Sequence, residues 1–593
     1  MKCKITIVTF FVFIQSALVA QTTIDNLRRH ERFLASDSLE GRGTGEPGNL
    51  IAAQYIAHEF ASIGLDPLGD TSSYYQSFSI IKDLQLGQSN QLKIQSGKEK
   101  IELKVGQDFL PVSYSKDTSV SGQAVFVGYG ISASDRQVDD YAQVDVKGKV
   151  VLVIRYAPKS DSVKYTKYSE LRYKVLQARE HGAAAVLAVT ASADDPEDKL
   201  IKLKYDYSFG DAGIPVLSIS RLVANQILSA AKVYVDSLHS GILVTGKSSS
   251  FVIPNTTVSL TSSLVRIKKN TSNVLGILKA PVNPANEHIV LGAHFDHLGY
   301  GGEGSGSLEP DKHLIHYGAD DNASGTSALI EIARSLKSHQ SLLKRDIIFI
   351  AFTGEELGVL GSAYYTKNPK APLQKTAAML NLDMVGRLQN KTLSIHGTGT
   401  SSGWENLLNA SNSDSTFVLK FVKDGFGPSD HSSFYVQHVP VLFFFTGIHT
   451  DYHKPSDTYD KINYEGLTSV AKFVITIAMC IDTTAQRPDF QKTQSAPQSS
   501  GENRGYRVYV GTIPDFSETV DGMKISGVRE KSPAAKAGLQ TGDIIIKFGK
   551  YSIKSLYDYS TAIQEYKPGD TVNVFWKRGL ETKIAPVVLE VRK

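Results

Sequence analysis

Residues 288–296 read His288-Ile289-Val290-Leu291-Gly292-Ala293-His294-Phe295-Asp296, an apolar run that stops on metal-capable side chains. A run of this length, apolar without alternation, reads as a strand covered on both faces. His294 and Asp296 fall on one face by the period of two, so one can ligate while the other orients it. The pattern repeats outward. Gly318-Ala319-Asp320-Asp321-Asn322-Ala323-Ser324-Gly325 forms a tight polar turn into a helical stretch from Thr326, with Asp321 placed as a short carboxylate able to bridge two ions. Ile347 to Phe352 runs into Thr353-Gly354-Glu355-Glu356, whose adjacent carboxylates point different ways and can differ in role. Met379 to Leu382 ends on Asp383, and Val439 to Phe445 is followed by Asp451-Tyr452-His453-Lys454-Pro455-Ser456-Asp457. Strands alternating with helices from Asn273 to Asp482 predict an α/β fold, a mainly parallel, doubly wound sheet, and such sheets bind ligands at the carboxyl ends of their strands. Singly, these residues are a core histidine, a solvated turn and an exposed helix start. Five of them at five strand ends are a constellation.

The rest of the chain sets bounds. At 593 residues it exceeds what one core supports, so two to four domains are expected. Apolar residues make up 41% and charged residues 21%, as in folded globular proteins, and the formal net charge of +4 gives no basic field to attract nucleic acid. Lys2 and Lys4 precede an apolar run from Ile5 to Val19 that ends at Ala20, the order of a secretory leader. Residues 1–20 are therefore expected to be a signal peptide, delivering the protein to the periplasm or the outside of the cell. The run is shorter than a membrane span needs, and no later segment reaches that length, so no span is expected in the mature chain. The cysteines are Cys3 and Cys480, which leaves the mature chain no internal disulfide. Residues 46–65 read as an amphipathic helix with Leu50, Ala53, Ala57 and Phe60 on one face, stopping at Gly64. Residues 119–253 change to short β-rich runs around a helical stretch, a separate small α/β unit. Residues 483–504, rich in Gln, Ser, Pro and Thr, read as a linker, and residues 505–593 as a compact β-rich unit with one helix.

As a set, the motifs GAHFDH, GADDNASG, TGEE, NLDMVG and DYHKPSDT resemble the two-zinc aminopeptidases, relatives of bacterial leucyl aminopeptidases, glutamate carboxypeptidase and glutaminyl cyclases, over about Arg28 to Asp482. The resemblance implies a zinc peptidase domain made of residues 21–118 and 254–482. In it His294 and Asp383 hold one Zn²⁺, Glu356 and His453 hold the other, and Asp321 bridges them. Co²⁺ or Mn²⁺ is expected to substitute. Glu355 would be the general base, Tyr452 would stabilise the developing oxyanion, Asp296 would orient His294 and Asp457 would support His453. Gly427-Pro428-Ser429-Asp430-His431 resembles a segment lining the substrate pocket, with no ligand role for His431. Three ligating carboxylates against two Zn²⁺ leave a net positive centre, which lowers the pKa of a shared water from 15.7 toward about 7.

Phe126-Val127-Gly128-Tyr129-Gly130, Val146 to Leu152, Gly182 to Val186 and Gly213-Ile214-Pro215-Val216 resemble an inserted protease-associated domain over 119–253, expected to act as a lid on the cleft. Ser532-Pro533-Ala534-Ala535-Lys536-Ala537-Gly538-Leu539 and Gly542-Asp543-Ile544-Ile545 resemble a PDZ domain, which implies capture of a peptide C-terminus near Val510 to Thr512 on a flexible tether. The expectation is an exported exopeptidase acting on peptides, an aminopeptidase before a carboxypeptidase or a glutaminyl cyclase. A non-catalytic peptide receptor is the remaining alternative, and such relatives lose ligands or the base, which this chain keeps.

Overall fold

The structure is a computed structural model that describes residues 24–493 and 508–591, apart from 134–137, 159–167, 205–210, 247–249, 303–304, 516–519 and 530. The leader, and the linker from 494 onward, lie outside the described residues. The chain divides into two compact units, one of residues 1–80 with 269–501, the other of residues 81–268 with 502–593.

The first unit is built on seven strands, β1 (Leu264–Leu278), β2 (His288–His294), β3 (Asp346–Phe352), β4 (Thr376–Leu382), β5 (Thr392–His396), β6 (Val418–Val422) and β7 (Val441–Phe445). They lie in the order β1-β3-β2-β4-β7-β5-β6, with Asp66–Pro67 and Tyr75–Leu86 adding to β1. The neighbours β3-β2, β2-β4 and β4-β7 are parallel, whereas β1 runs against β3, and β5 against β7. The mainly parallel sheet read from residues 288–296 is thus a four-strand core with antiparallel edges.

Why these strands are apolar throughout follows from their two covers. In β3, Ile347, Phe349 and Ala351 enter the core beneath the helices Ile24–Leu34, Pro47–Ile63, Gly325–Ser338 and Tyr464–Thr483. Ile348, Ile350 and Phe352 enter a second core on the opposite face with Tyr365 and Phe434. Alternate residues feed alternate cores, so no position is left for a polar side chain. Against the expectation that no later segment reaches spanning length, Tyr464–Thr483 is the one continuous helix among the described residues long and apolar enough to cross a membrane, and it is packed within the first core through Leu467, Val470, Val474 and Ile477. The helix at 46–65 runs Pro47–Ile63, capped by Gly64 at φ 84°, with Ala53, Ala57 and Phe60 buried as expected. Leu50 departs from that face and is 44% exposed.

The second unit holds an eight-stranded sheet, ordered 99–103, 91–96, 251–262, 118–126, 150–154, 185–189, 216–219 and 109–111. This corrects the domain boundaries read from composition. The strands Gln91–Ser96, Glu99–Leu103 and Phe109–Pro111, expected in the peptidase domain, and Phe251–Ser262, split by the expected boundary at 253/254, belong to the insert's sheet. The same unit contains an antiparallel sheet of Thr512–Pro514, Met523–Val528, Ile544–Phe548, Thr571–Arg578 and Glu581–Val588, with helices Pro533–Lys536 and Leu556–Gln564. The linker is shorter than its composition suggests. Residues 484–493 lie along the first unit, where Arg345 donates to the Thr484 carbonyl, Asp489 accepts from Ser401 and Ser402, and Thr493 is buried against Tyr435.

Candidate active site

Each expected group arrives from the carboxyl end of a strand or from the turn that follows it. His294 closes β2, Glu355 and Glu356 follow β3, Asp383 follows β4, and His453 follows β7. Asp321 comes from the turn between β2 and helix Gly325–Ser338. That turn needs glycine at its start: Gly318 sits at φ 54°, and a Cβ there would come within 2.2 Å of the Asp321 carbonyl. Met384 beside Asp383 at φ 52° and His453 itself at φ 53° hold left-handed backbone without being glycine. Such conformations persist only where the surroundings impose them, and they cluster at functional sites.

The side chains converge. Asp321 turns its Oδ1 to His294 Nε2 at 3.4 Å and its Oδ2 to His453 Nε2 at 3.2 Å, one oxygen for each imidazole. His294 Nε2 also faces Asp383 Oδ1 at 3.2 Å, and His453 Nε2 faces Glu356 Oε2 at 3.2 Å. Glu355 Oε2 stands farther from His294 Nε2, at 3.9 Å. Burial alone would raise the Asp321 carboxyl, but its bonds to His294 and His453 hold it well below the usual carboxylate range. Burial would likewise lower the His453 imidazole, but Asp321 and Glu356 push it up to about 11. These carboxylates gather positive charge. Glu355 differs: burial, helped by Asp383 and Glu356 and opposed by His294, raises its carboxyl well above the ordinary value.

The donor set fits two divalent cations. Two donors each about 2.0–2.1 Å from one tetrahedral ion are about 3.3 Å apart, and the separations of 3.2–3.4 Å among His294, Asp383, Asp321, Glu356 and His453 match that edge. Proximity alone also groups His294 with Glu355 and Asp383, and His297 with Asp321 and Glu356. His297 Nδ1, however, lies 2.6 Å from Glu356 Oε1 and 4.0 Å from Asp321 Oδ2. The first separation is that of a hydrogen bond, too short for two ligands of one ion, so His297 orients Glu356 while His453 completes the second set.

The supporting residues depart in part from the sequence reading. Asp296 lies beside His294, but the His294 Nδ1 contact is to the Asp296 backbone carbonyl at 3.2 Å, with the carboxylate at 3.7 Å. That carboxylate accepts the Thr44 hydroxyl at 2.7 Å and the Glu355 backbone N–H at 3.1 Å, and so steadies the acid beside it. Asp457 does not support His453, whose Nδ1 instead meets the Gly306 carbonyl at 2.9 Å. Asp457 Oδ2 accepts the backbone N–H groups of Asp320 at 2.8 Å and Asp321 at 3.2 Å, fixing the turn that carries the central carboxylate.

Further residues do work that the sequence reading missed. The Arg387 Nη2 donates to Asp457 Oδ1 at 3.0 Å and Asp451 Oδ2 at 3.3 Å, and so ties the Asp321 turn to the Tyr452-His453 loop. His449 Nε2 faces Asp320 Oδ2 at 3.2 Å across the same junction. The buried Arg42 guanidinium donates to the carbonyls of Leu34, Phe295, Tyr317 and Gly318, bracing the end of β2 and the start of the turn. Arg387 lies four residues beyond Asp383, directly after the NLDMVG motif, and His297 one beyond Asp296. Their positions were visible, whereas their partners were not.

Tyr452 stacks on His453 with ring centroids 3.9 Å apart, and burial first, then Asp321 and Glu356, push its phenol well up, so it stays an O–H donor. The Gly427–His431 segment leads into a helix at 431–435. His431 is fully buried, stacks on Phe443 at 4.6 Å and is held neutral by burial, its pKa near 3. It is a packing group.

Comparison with known proteins follows the domain pattern. Residues 273–478 match the model of Peptidase family M28, residues 116–227 that of the PA domain and residues 508–589 that of the PDZ domain. Aminopeptidase YwaD of Bacillus subtilis (strain 168) is 26% identical over 371 residues, covering 60% of this chain and 67% of the relative. A probable leucine aminopeptidase of Arthroderma otae is 30% identical over 200 residues, covering 32% of this chain and 53% of the relative. Among solved structures, an aminopeptidase from Aneurinibacillus sp. strain AM-1 aligns at a TM-score of 0.47 and 23% identity, over 80% of this chain and 97% of the other.

Proposed function

Starting from a chain that carries a peptidase family M28 domain with an inserted PA domain and a C-terminal PDZ domain, and so is a hydrolase of peptide bonds, we propose that it is a two-zinc aminopeptidase. The observation that carries this reading is the divided Asp321 carboxylate, with one oxygen toward His294, which also meets Asp383, and the other toward His453, which also meets Glu356. Its relatives include proteins named aminopeptidases, which supports action at the N-terminus of a peptide.

In this reading His294, Asp383 and Asp321 hold one Zn²⁺, and Asp321, Glu356 and His453 hold the other, with Co²⁺ or Mn²⁺ able to replace them. Zinc held by these residues would supply Lewis acidity, for polarising the scissile carbonyl and for lowering the pKa of a water toward neutral pH. Glu355, close to His294 but outside the tighter set, accepts the proton of the attacking water on a carboxylate oxygen and passes it to the departing amine. The Tyr452 O–H donates to the oxygen on which negative charge develops. Asp296 keeps Glu355 in register through its backbone N–H. The protein is proposed to be exported through residues 1–20 and to work in the periplasm or outside the cell.

The test is a substrate panel on purified protein with its zinc measured. Free aminoacyl amides should be cleaved and their N-acetylated forms spared, with two zinc ions per chain. Equal rates on both would exclude an aminopeptidase, and release of C-terminal residues would establish a carboxypeptidase instead.

A further inference from the structure

Helix Leu171–Glu180 of the insert is buried on too many sides for the sheet it serves. Six consecutive residues, Tyr173 to Ala178, are all buried, including Lys174 and Gln177. At about 100° per residue six positions circle the helix more than once, whereas a helix lying on one sheet keeps a solvent face. Three cores claim it. Tyr173 joins one core of the insert, Val175 and Ala178 join the other, and Leu176 belongs to the core of the PDZ domain with Ile553, Tyr559 and Trp576.

Polar contacts flank that apolar anchor. Arg179 Nη1 donates to Asp558 Oδ2 at 2.9 Å, and its Nη2 donates to the Ser552 carbonyl at 2.7 Å. Glu180 Oε1 accepts the Ser552 N–H at 3.2 Å. The Arg179 and Asp558 side chains are only 10% and 7% exposed, so the pair is desolvated, and removing either partner strands a buried charge. Asp558 lies in helix Leu556–Gln564, while Thr512–Pro514 stands at the end of the PDZ sheet's strand order.

We propose that helix Leu171–Glu180 is a built docking surface whose partner is the chain's own PDZ domain, so that PA insert and PDZ domain form one permanent body. The PDZ domain is then a fixed platform, and not a recruiter swinging on a tether. It departs from the freely moving domain expected on residues 483–504, of which 494–504 lie outside the described residues, and it stands independently of the peptidase assignment.

A protease site introduced near Gln498 tests it in the full chain. After cleavage, the C-terminal fragment should co-elute with the remainder at micromolar concentration on gel filtration. Arg179→Met, which keeps the stem and removes the charge, should weaken retention at least about 10-fold, and Leu176→Asp should release the fragment. An unchanged far-UV circular-dichroism spectrum in both variants shows that the rest of the chain is folded. Separation of the cleaved wild-type fragments would overturn the proposal, and undiminished retention in both variants would overturn the assignment to this helix.

Discussion

A carboxylate that serves two imidazoles cannot be removed from one side only. Asp321→Ala is expected to lose both cations together, read as zinc content falling below one per chain, whereas Glu355→Ala keeps both and loses about 10²- to 10⁴-fold in kcat, the range for removing a general base. The pair separates ligand from base by metal analysis beside kinetics. Arg387 belongs to neither class, because its contacts are to Asp451 and Asp457. Since it aligns groups through a second layer of bonds, Arg387→Ala should weaken metal affinity by about 10- to 100-fold, with activity returning at high zinc and partial rescue by Arg387→Lys. Metal affinity equal to wild type would show that the Asp321 turn and the His453 loop hold themselves.

Elements decide how far such residues could be foreseen. The strands were legible because apolar runs without alternation have one common cause, burial on both faces, and the ligands were legible because strand ends in such a sheet share an edge. The insert's borders were not. Gln91–Ser96 alternates buried and exposed residues like any half-covered strand, and nothing in that alternation says whether its partner lies in one sheet or the other. Asp457 was misassigned for a related reason, since the resemblance pointed to His453 while the fold brought it to a turn more than a hundred residues away. Leu50 shows the limit of a helical face read without knowledge of where the cover ends.

Energetic expectations at this scale follow burial. Leu329 is fully buried in helix Gly325–Ser338, so Leu329→Ala should cost about 2–5 kcal/mol of unfolding free energy, measured by denaturant titration of the first unit. In the insert, burial pulls the Lys174 ammonium down to about 7, opposed by Asp140. The unfolded chain, with an ordinary lysine near 10.4, then binds a proton that the folded chain lacks between those values. Stability from this group therefore rises with pH across that window and is flat below about 7. Relative to Lys174→Met, the wild-type insert should gain thermal stability between about pH 7 and pH 9, and a constant gap would mean that Lys174 is charged when folded.

Over the whole molecule, the site is assembled entirely from the first unit. A chain ending after Thr493, which keeps the segment packed on Tyr435, should retain zinc and turn over a small aminoacyl substrate within a few-fold of the full chain. The same cut bares Leu176 and leaves Arg179 without Asp558, so the insert should melt earlier in calorimetry while the first unit holds. Loss of small-substrate activity in folded, metal-loaded truncated protein would place the C-terminal domain in the reaction.

The insert leaves the first unit along Tyr75–Leu86 and returns along Leu264–Leu278, two strands that pair with each other, with Ser77 bonded to Ser272 and Ser79 to Asn270. The catalytic unit is therefore sewn shut across the gap by its own ribbon, and the length of chain between the two seams adds little to the entropy of closing it. A backbone break anywhere between the seams would give two pieces on a denaturing gel and one active particle on a native gel.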